Sequence, residues 1–107
     1  MAIELDRDNY ESETQVAKGS VLVDFWGPQC HPCLKLMPAV AELEKTYEGR
    51  LKVTKVNSTQ NRMLCARLRV MGLPTFILYK DGSEVGRLTG ENITREDLIT
   101  AIEGILV

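Results

Sequence analysis

A chain of 107 residues, 44% hydrophobic and 26% charged, is long enough to bury the core of one domain and leaves little room for a second. Thirteen basic against fifteen acidic residues give a net charge of −2 without any basic block or aromatic-bearing basic stripe, which argues against nucleic acid and anionic membrane as partners. The opening Met1-Ala2-Ile3-Glu4-Leu5-Asp6 has neither the positive region nor the apolar run of a secretion signal, and no apolar stretch approaches bilayer-spanning length, so the expected location is cytoplasmic.

Ile3 to Leu5 predicts a short edge strand, after which Asp8 or Asn9 is expected to cap a helix running to about Ala17 and stopped by Gly19-Ser20. Val21-Leu22-Val23-Asp24-Phe25-Trp26 is an apolar run of strand length, as a strand covered on both faces requires. Asp24 is the anomaly in it. Its carboxyl is either desolvated, with a raised affinity for its proton, or set on a strand face open to water.

Directly after that strand come Gly27-Pro28-Gln29-Cys30-His31-Pro32-Cys33, with the two thiols opening a helix. Residues three apart in a helical turn share a face at roughly 5–6 Å, within reach of a disulfide. So short a loop gains little stability from cross-linking, which suits a bond that is made and broken. The N–H groups and dipole of a helix N-terminus favour an anion, making Cys30 the expected nucleophile and Cys33 the resolving thiol that attacks a mixed disulfide. Other readings stay open at this point. Half of a zinc site would need further ligands from Cys65 and His31, and two inert core cysteines would need no turn at Pro28 and Pro32.

Leu36, Val40, Leu43 and Tyr47 form the stripe of an amphipathic helix ending at Gly49, with a kink expected at Pro38. Leu51 to Val56 alternates as a strand. Ser58 or Thr59 is expected to cap a helix to about Arg69, with Leu64, Cys65 and Leu68 on its apolar face, so that Cys65 reads as a buried thiol, with a regulatory disulfide as the alternative. Gly72-Leu73-Pro74 breaks the chain before a strand from Thr75 to Tyr79. Asp81-Gly82 signals a hairpin, Val85 to Thr89 the returning strand, and Thr94 with Asp97 a capping box ahead of a last helix carrying Leu98, Ala101, Ile102 and Ile105. Strand–helix alternation followed by a hairpin predicts an α/β fold with a mixed central sheet and helices on both faces. The cysteine pair then sits beyond the carboxyl end of a strand, where such sheets form their sites.

Val21 to Trp26, Cys30-x-Pro32-Cys33, Pro38, Lys55, Leu73-Pro74-Thr75, Gly82 and Gly90, at their intervals, resemble the thioredoxin family nearly end to end. The resemblance implies a single thioredoxin domain over residues 1–107, with five strands flanked by four helices. It also implies reduction of protein disulfides by a reversible Cys30–Cys33 couple without organic cofactor or metal, and a thioredoxin-reductase-type electron donor. Asp24 is implied as the proton carrier for Cys33, with Lys55 nearby. A cis Leu73–Pro74 bond is implied beside a substrate groove made by Trp26, Gln29, Met71, Gly72, Leu73, Pro74 and Gly90, with His31, Pro32 and Lys55 tuning the redox couple.

Four residues depart from the family pattern: Gln29 stands where tryptophan is usual, His31 where glycine is, Leu34 where a basic residue often follows the second cysteine, and Ser58 in place of a common aspartate. His31 is the only histidine. As an imidazolium near Cys30 it would favour the thiolate and make the disulfide more oxidising. An oxidant or isomerase, and a binding module whose thiols are idle, are therefore the alternative functions.

Overall fold

The computed structural model describes residues 2–106. Its strands are β1 (Ile3–Leu5), β2 (Ser20–Trp26), β3 (Leu51–Asn57), β4 (Thr75–Lys80) and β5 (Ser83–Thr89), and its α-helices are α1 (His31–Thr46), α2 (Arg62–Arg67) and α3 (Arg95–Leu106). A wide π-type turn, Glu11–Gln15, stands between β1 and β2 as a further helical segment. The strands form one sheet in the order β1-β3-β2-β4-β5. β1 and β2 run parallel to β3, whereas β4 is antiparallel to β2 and to β5, giving the mixed sheet that the element order predicted.

Alternation along the strands sorts the core into two layers. Val21, Val23 and Phe25 of β2 meet Tyr10, Leu64, Cys65, Ile77 and Tyr79, the layer under the π-type turn and α2. Leu22, with Val53, Phe76 and Leu78, meets Val40, Leu43 and Tyr47 of α1 and Leu98 and Ile102 of α3. Because β2 is covered on both faces, it needs the continuous apolar run seen in its sequence. Gly49 ends the α1 region at φ +86°, a conformation glycine adopts without steric cost. The reciprocal Thr94–Asp97 box is formed, Asp97 Oδ2 accepting from Thr94 N–H at 2.9 Å and Thr94 Oγ1 from Asp97 N–H at 3.1 Å. At the hairpin both Asp81 and Gly82 have positive φ, and a Cβ on Gly82 would lie 2.3 Å from the Gln15 carbonyl oxygen. That turn must be glycine both for its backbone and for its close approach.

Three local expectations are corrected. The first helix is capped neither by Asp8 nor by Asn9 and does not reach Ala17. Instead Asp6 Oδ1 accepts from the N–H groups of Asp8 and Asn9, Asn9 Oδ1 accepts from Asp6 N–H, and Thr14 Oγ1 donates to the Tyr10 carbonyl at 2.6 Å. With Asp6 as the cap, Asp6 and Asn9 thus form the reciprocal capping pair of this turn, satisfying the N–H groups at its start that have no partner within a helix. The helix expected from Ser58 or Thr59 to Arg69 is divided into a 3₁₀ turn, Ser58–Gln60, and α2. Asn57 caps the turn by accepting from Thr59 N–H at 3.1 Å. β5 starts at Ser83 rather than Val85, with an irregularity opposite Leu78 and Tyr79 that lets the hairpin pair from its turn outward.

Candidate active site

β2 delivers the chain at Trp26 to a tight turn closed by Cys30 N–H donating to the Gly27 carbonyl at 3.0 Å. Cys30, with extended backbone, is the N-cap of α1, and its Sγ accepts from Cys33 N–H at 3.2 Å. Pro32 lies in the first turn, where its missing N–H leaves no helical bond unmade. The two sulfurs are joined as a disulfide with Cα atoms 5.3 Å apart, so α1 brings the pair together without distortion of the helix. Cys30 is partly exposed, while Cys33 is buried at 2% and continues the inward stripe of Leu36, Val40, Leu43 and Tyr47. One cysteine is open to solvent and the other is turned inward.

On that sheet face lies Asp24. It is buried, which excludes the reading that it faces solvent. Desolvation pushes its carboxyl from 3.8 up to about 7, opposed by the Lys55 ammonium and reinforced by Glu4. The strand register sets Asp24 directly beside Lys55. The Lys55 Nζ sits 5.7 Å from the Trp26 ring centroid and 3.9 Å from Glu4 Oε2. Asp24 Oδ1, Trp26 Nε1 and Ser58 Oγ are buried without a hydrogen-bond partner among the described residues. A carboxyl held at about 7 can take up or release a proton near neutral pH.

The loop ahead of β4 carries the cis Leu73–Pro74 bond. Thr75 Oγ1 donates to the Gly72 carbonyl at 2.6 Å, Gly90 N–H donates to the Pro74 carbonyl at 3.1 Å, and Gly72 packs on the Thr89 methyl, so β4 and β5 jointly brace it. A Cβ on Gly27 would lie 3.4 Å from Leu73 Cδ1, 3.8 Å from Thr59 Cγ2 and 4.0 Å from Cys30 Cβ. Leu73 and Cys30 therefore both border Gly27. Gly27 and Thr59 belong to this surface and were missed in the sequence, where only the glycine between Trp26 and Pro28 hinted at close packing. Gln29 and Met71 are exposed, Met71 at 88%, and their place in a groove rests on chain position alone. His31 is exposed and, with Pro32, lines a shallow groove toward Glu91 and Ile93. Cys65 lies in the other core layer, with the sheet between it and α1.

The chain matches the thioredoxin family over residues 1–104. It is 46% identical over 91 residues to a thioredoxin of Acetoanaerobium sticklandii, covering 85% of this chain and 87% of that one. The chain belongs to the thioredoxin family. A thioredoxin of Peptoclostridium acidaminophilum is 40% identical over 98 residues, 92% of this chain and 89% of its own, and thioredoxin 1 of a Nostoc species is 34% identical over 89 residues, 83% of each. The family, these thioredoxins and the Cys30–Cys33 pair make the protein a thiol–disulfide oxidoreductase, a protein-disulfide reductase with a redox-active centre at α1. No helix among the described residues is long and apolar enough to cross a membrane.

Proposed function

We propose that Cys30 is the attacking thiol, Cys33 the resolving thiol and Asp24 the base that deprotonates Cys33. The observation that carries this reading is the division of exposure: a partly exposed sulfur at a helix N-terminus, with a buried one behind it on the Asp24 face. The Cys30 thiolate attacks one sulfur of a substrate disulfide, and the other sulfur leaves as a thiolate. Asp24 then takes the Cys33 proton, Cys33 attacks the Cys30 sulfur, the mixed disulfide breaks and the second substrate thiolate leaves. Two electrons have passed to the substrate and the Cys30–Cys33 disulfide has formed. A thioredoxin-reductase-type dithiol donor in the cytoplasm returns two electrons and two protons. One domain carries the whole cycle, with Pro32 and Lys55 tuning the couple. Trp26, Gln29, Met71, Gly72, Leu73, Pro74 and Gly90 receive the substrate chain, the Leu73 backbone pairing with it.

Cys33→Ser tests the assignment. The variant is expected to accumulate a mixed disulfide between Cys30 and an added disulfide-bonded protein, seen by mass spectrometry, while Cys30→Ser forms none. Trapping through Cys33 in the second variant at equal yield would remove the division of roles. NADPH consumption on mixing with a thioredoxin reductase tests the donor, and a rate no higher than with the double Cys→Ser variant would remove it.

A further inference from the structure

Three neighbouring strands carry one row of charge across the sheet. The register pairs Glu4 of β1 with Lys55 of β3, and Lys55 with Asp24 of β2. Strand alternation puts all three on the face that α1 and α3 cover, since their neighbours Leu22 and Val53 belong to that layer. Lys55 thus stands between two carboxylates, 3.9 Å from Glu4 Oε2 and over the Trp26 ring. An ammonium shared with Glu4 neutralises Asp24 less than one held by Asp24 alone. We propose that Glu4 is a positioning residue for proton transfer, holding the Lys55 ammonium toward the sheet edge and adding its own charge along the row, so that Asp24 can carry a proton.

Few other groups bear on Asp24. β4 sets the uncharged Phe76 opposite it, and α1 contributes the buried Cys33. Lys35, Glu42 and Lys45 of α1 are exposed, and Arg95 and Glu103 of α3 are engaged by Glu42 and Tyr47. Lys55 favours the ionised carboxylate and Glu4 opposes it, in the direction the row requires. Glu4 is half-exposed at the sheet edge, so its removal disturbs no packing.

The inference rests on the assignment of Asp24 as base, and its test is separable from that assignment. In oxidised protein the Asp24 carboxyl is titrated directly by carbon NMR, a readout of its proton affinity whether or not it serves catalysis. Glu4→Gln is expected to lower the midpoint by roughly half to one pH unit, from charges about two strand spacings apart. In reduced protein the pH profile for resolving a Cys30 mixed disulfide should move toward acid by the same amount. Lys55→Met should reduce the Glu4→Gln shift to the part that the Glu4 charge exerts on Asp24 directly. An unmoved or raised midpoint in folded Glu4→Gln overturns the inference, and a shift undiminished in the Lys55→Met background overturns the part carried by the held Lys55 ammonium. If Asp24→Asn leaves the resolution profile unchanged, the base assignment fails instead, whatever the NMR midpoints show.

Discussion

Asp24→Asn should stabilise the oxidised protein in a way that depends on pH. The carboxyl binds its proton with a midpoint of about 7 in the native state against 3.8 when free in water. Below 3.8 both folded and unfolded chains are protonated, and the ionisation of Asp24 costs nothing. Between the two values the unfolded chain is ionised while the native carboxyl is not, so each pH unit costs the native state about 1.4 kcal/mol. Stability present in acid is lost as pH rises through 7, for a total of about 4 kcal/mol above that point. The burial of Asp24 and its unpartnered Oδ1 are the cause. Asparagine does not ionise, so the stability difference between variant and wild type should grow steadily from pH 4 to pH 7.5 and then level off. Urea unfolding followed by circular dichroism at four pH values measures it. Using the disulfide form keeps Cys30 and Cys33 from titrating, and subtraction removes ionisations common to both proteins. A difference that stays flat over this range would refute the desolvated carboxyl, and with it the base chemistry assigned to Asp24.

Two further outcomes are expected. His31→Gly removes the imidazole from the residue after Cys30, and should raise the Cys30 pKa and make the couple roughly 10–30 mV more reducing. Equilibrium with a thiol–disulfide buffer, followed by fluorescence of the only tryptophan, Trp26, reads this, and an unchanged potential would leave His31 without a redox role. Arg87 donates to the Leu68 and Arg69 carbonyls at 3.0 and 3.2 Å while Glu84 holds its guanidinium in two bonds, so β5 anchors the C-terminus of α2 and the loop that leads to Leu73. Arg87→Lys keeps the charge but loses the fork. It should cost about 1–2 kcal/mol of stability and raise KM for a protein disulfide more than it lowers kcat; a proportional fall in kcat would place the loop's role elsewhere.

Much of the site was legible because chemistry and local geometry share it. The Cys30–Cys33 spacing, the apolar run of β2, the Asp81-Gly82 turn and the Thr94–Asp97 box are each complete within a few residues, and each formed as expected. The segment after β1 was misjudged because the cap lies earlier than Asp8 or Asn9, at Asp6, whose side chain takes the N–H groups of both. Asp6 and Asn9 bond reciprocally, and the contact of Gln15 with Gly82, a residue from a distant hairpin, helps fix the chain where the helix ends. Likewise Ser58 looked like a cap, yet Asn57 took that place, leaving the Ser58 hydroxyl buried and unpartnered.

By itself the sequence determined the periodicities, the turn chemistry and the identity of the reactive groups, since burial patterns and capping act between residues close in the chain. Only the tertiary structure decided that Asp24 is buried rather than wet, that Glu4 competes for Lys55, that Gly27 packs against Leu73 and that Cys65 lies across the sheet from Cys33. Those facts depend on strand order and register, which bring together residues dozens of positions apart. A proton affinity is set by every charge and every excluded water around it, and no local stretch of chain contains them.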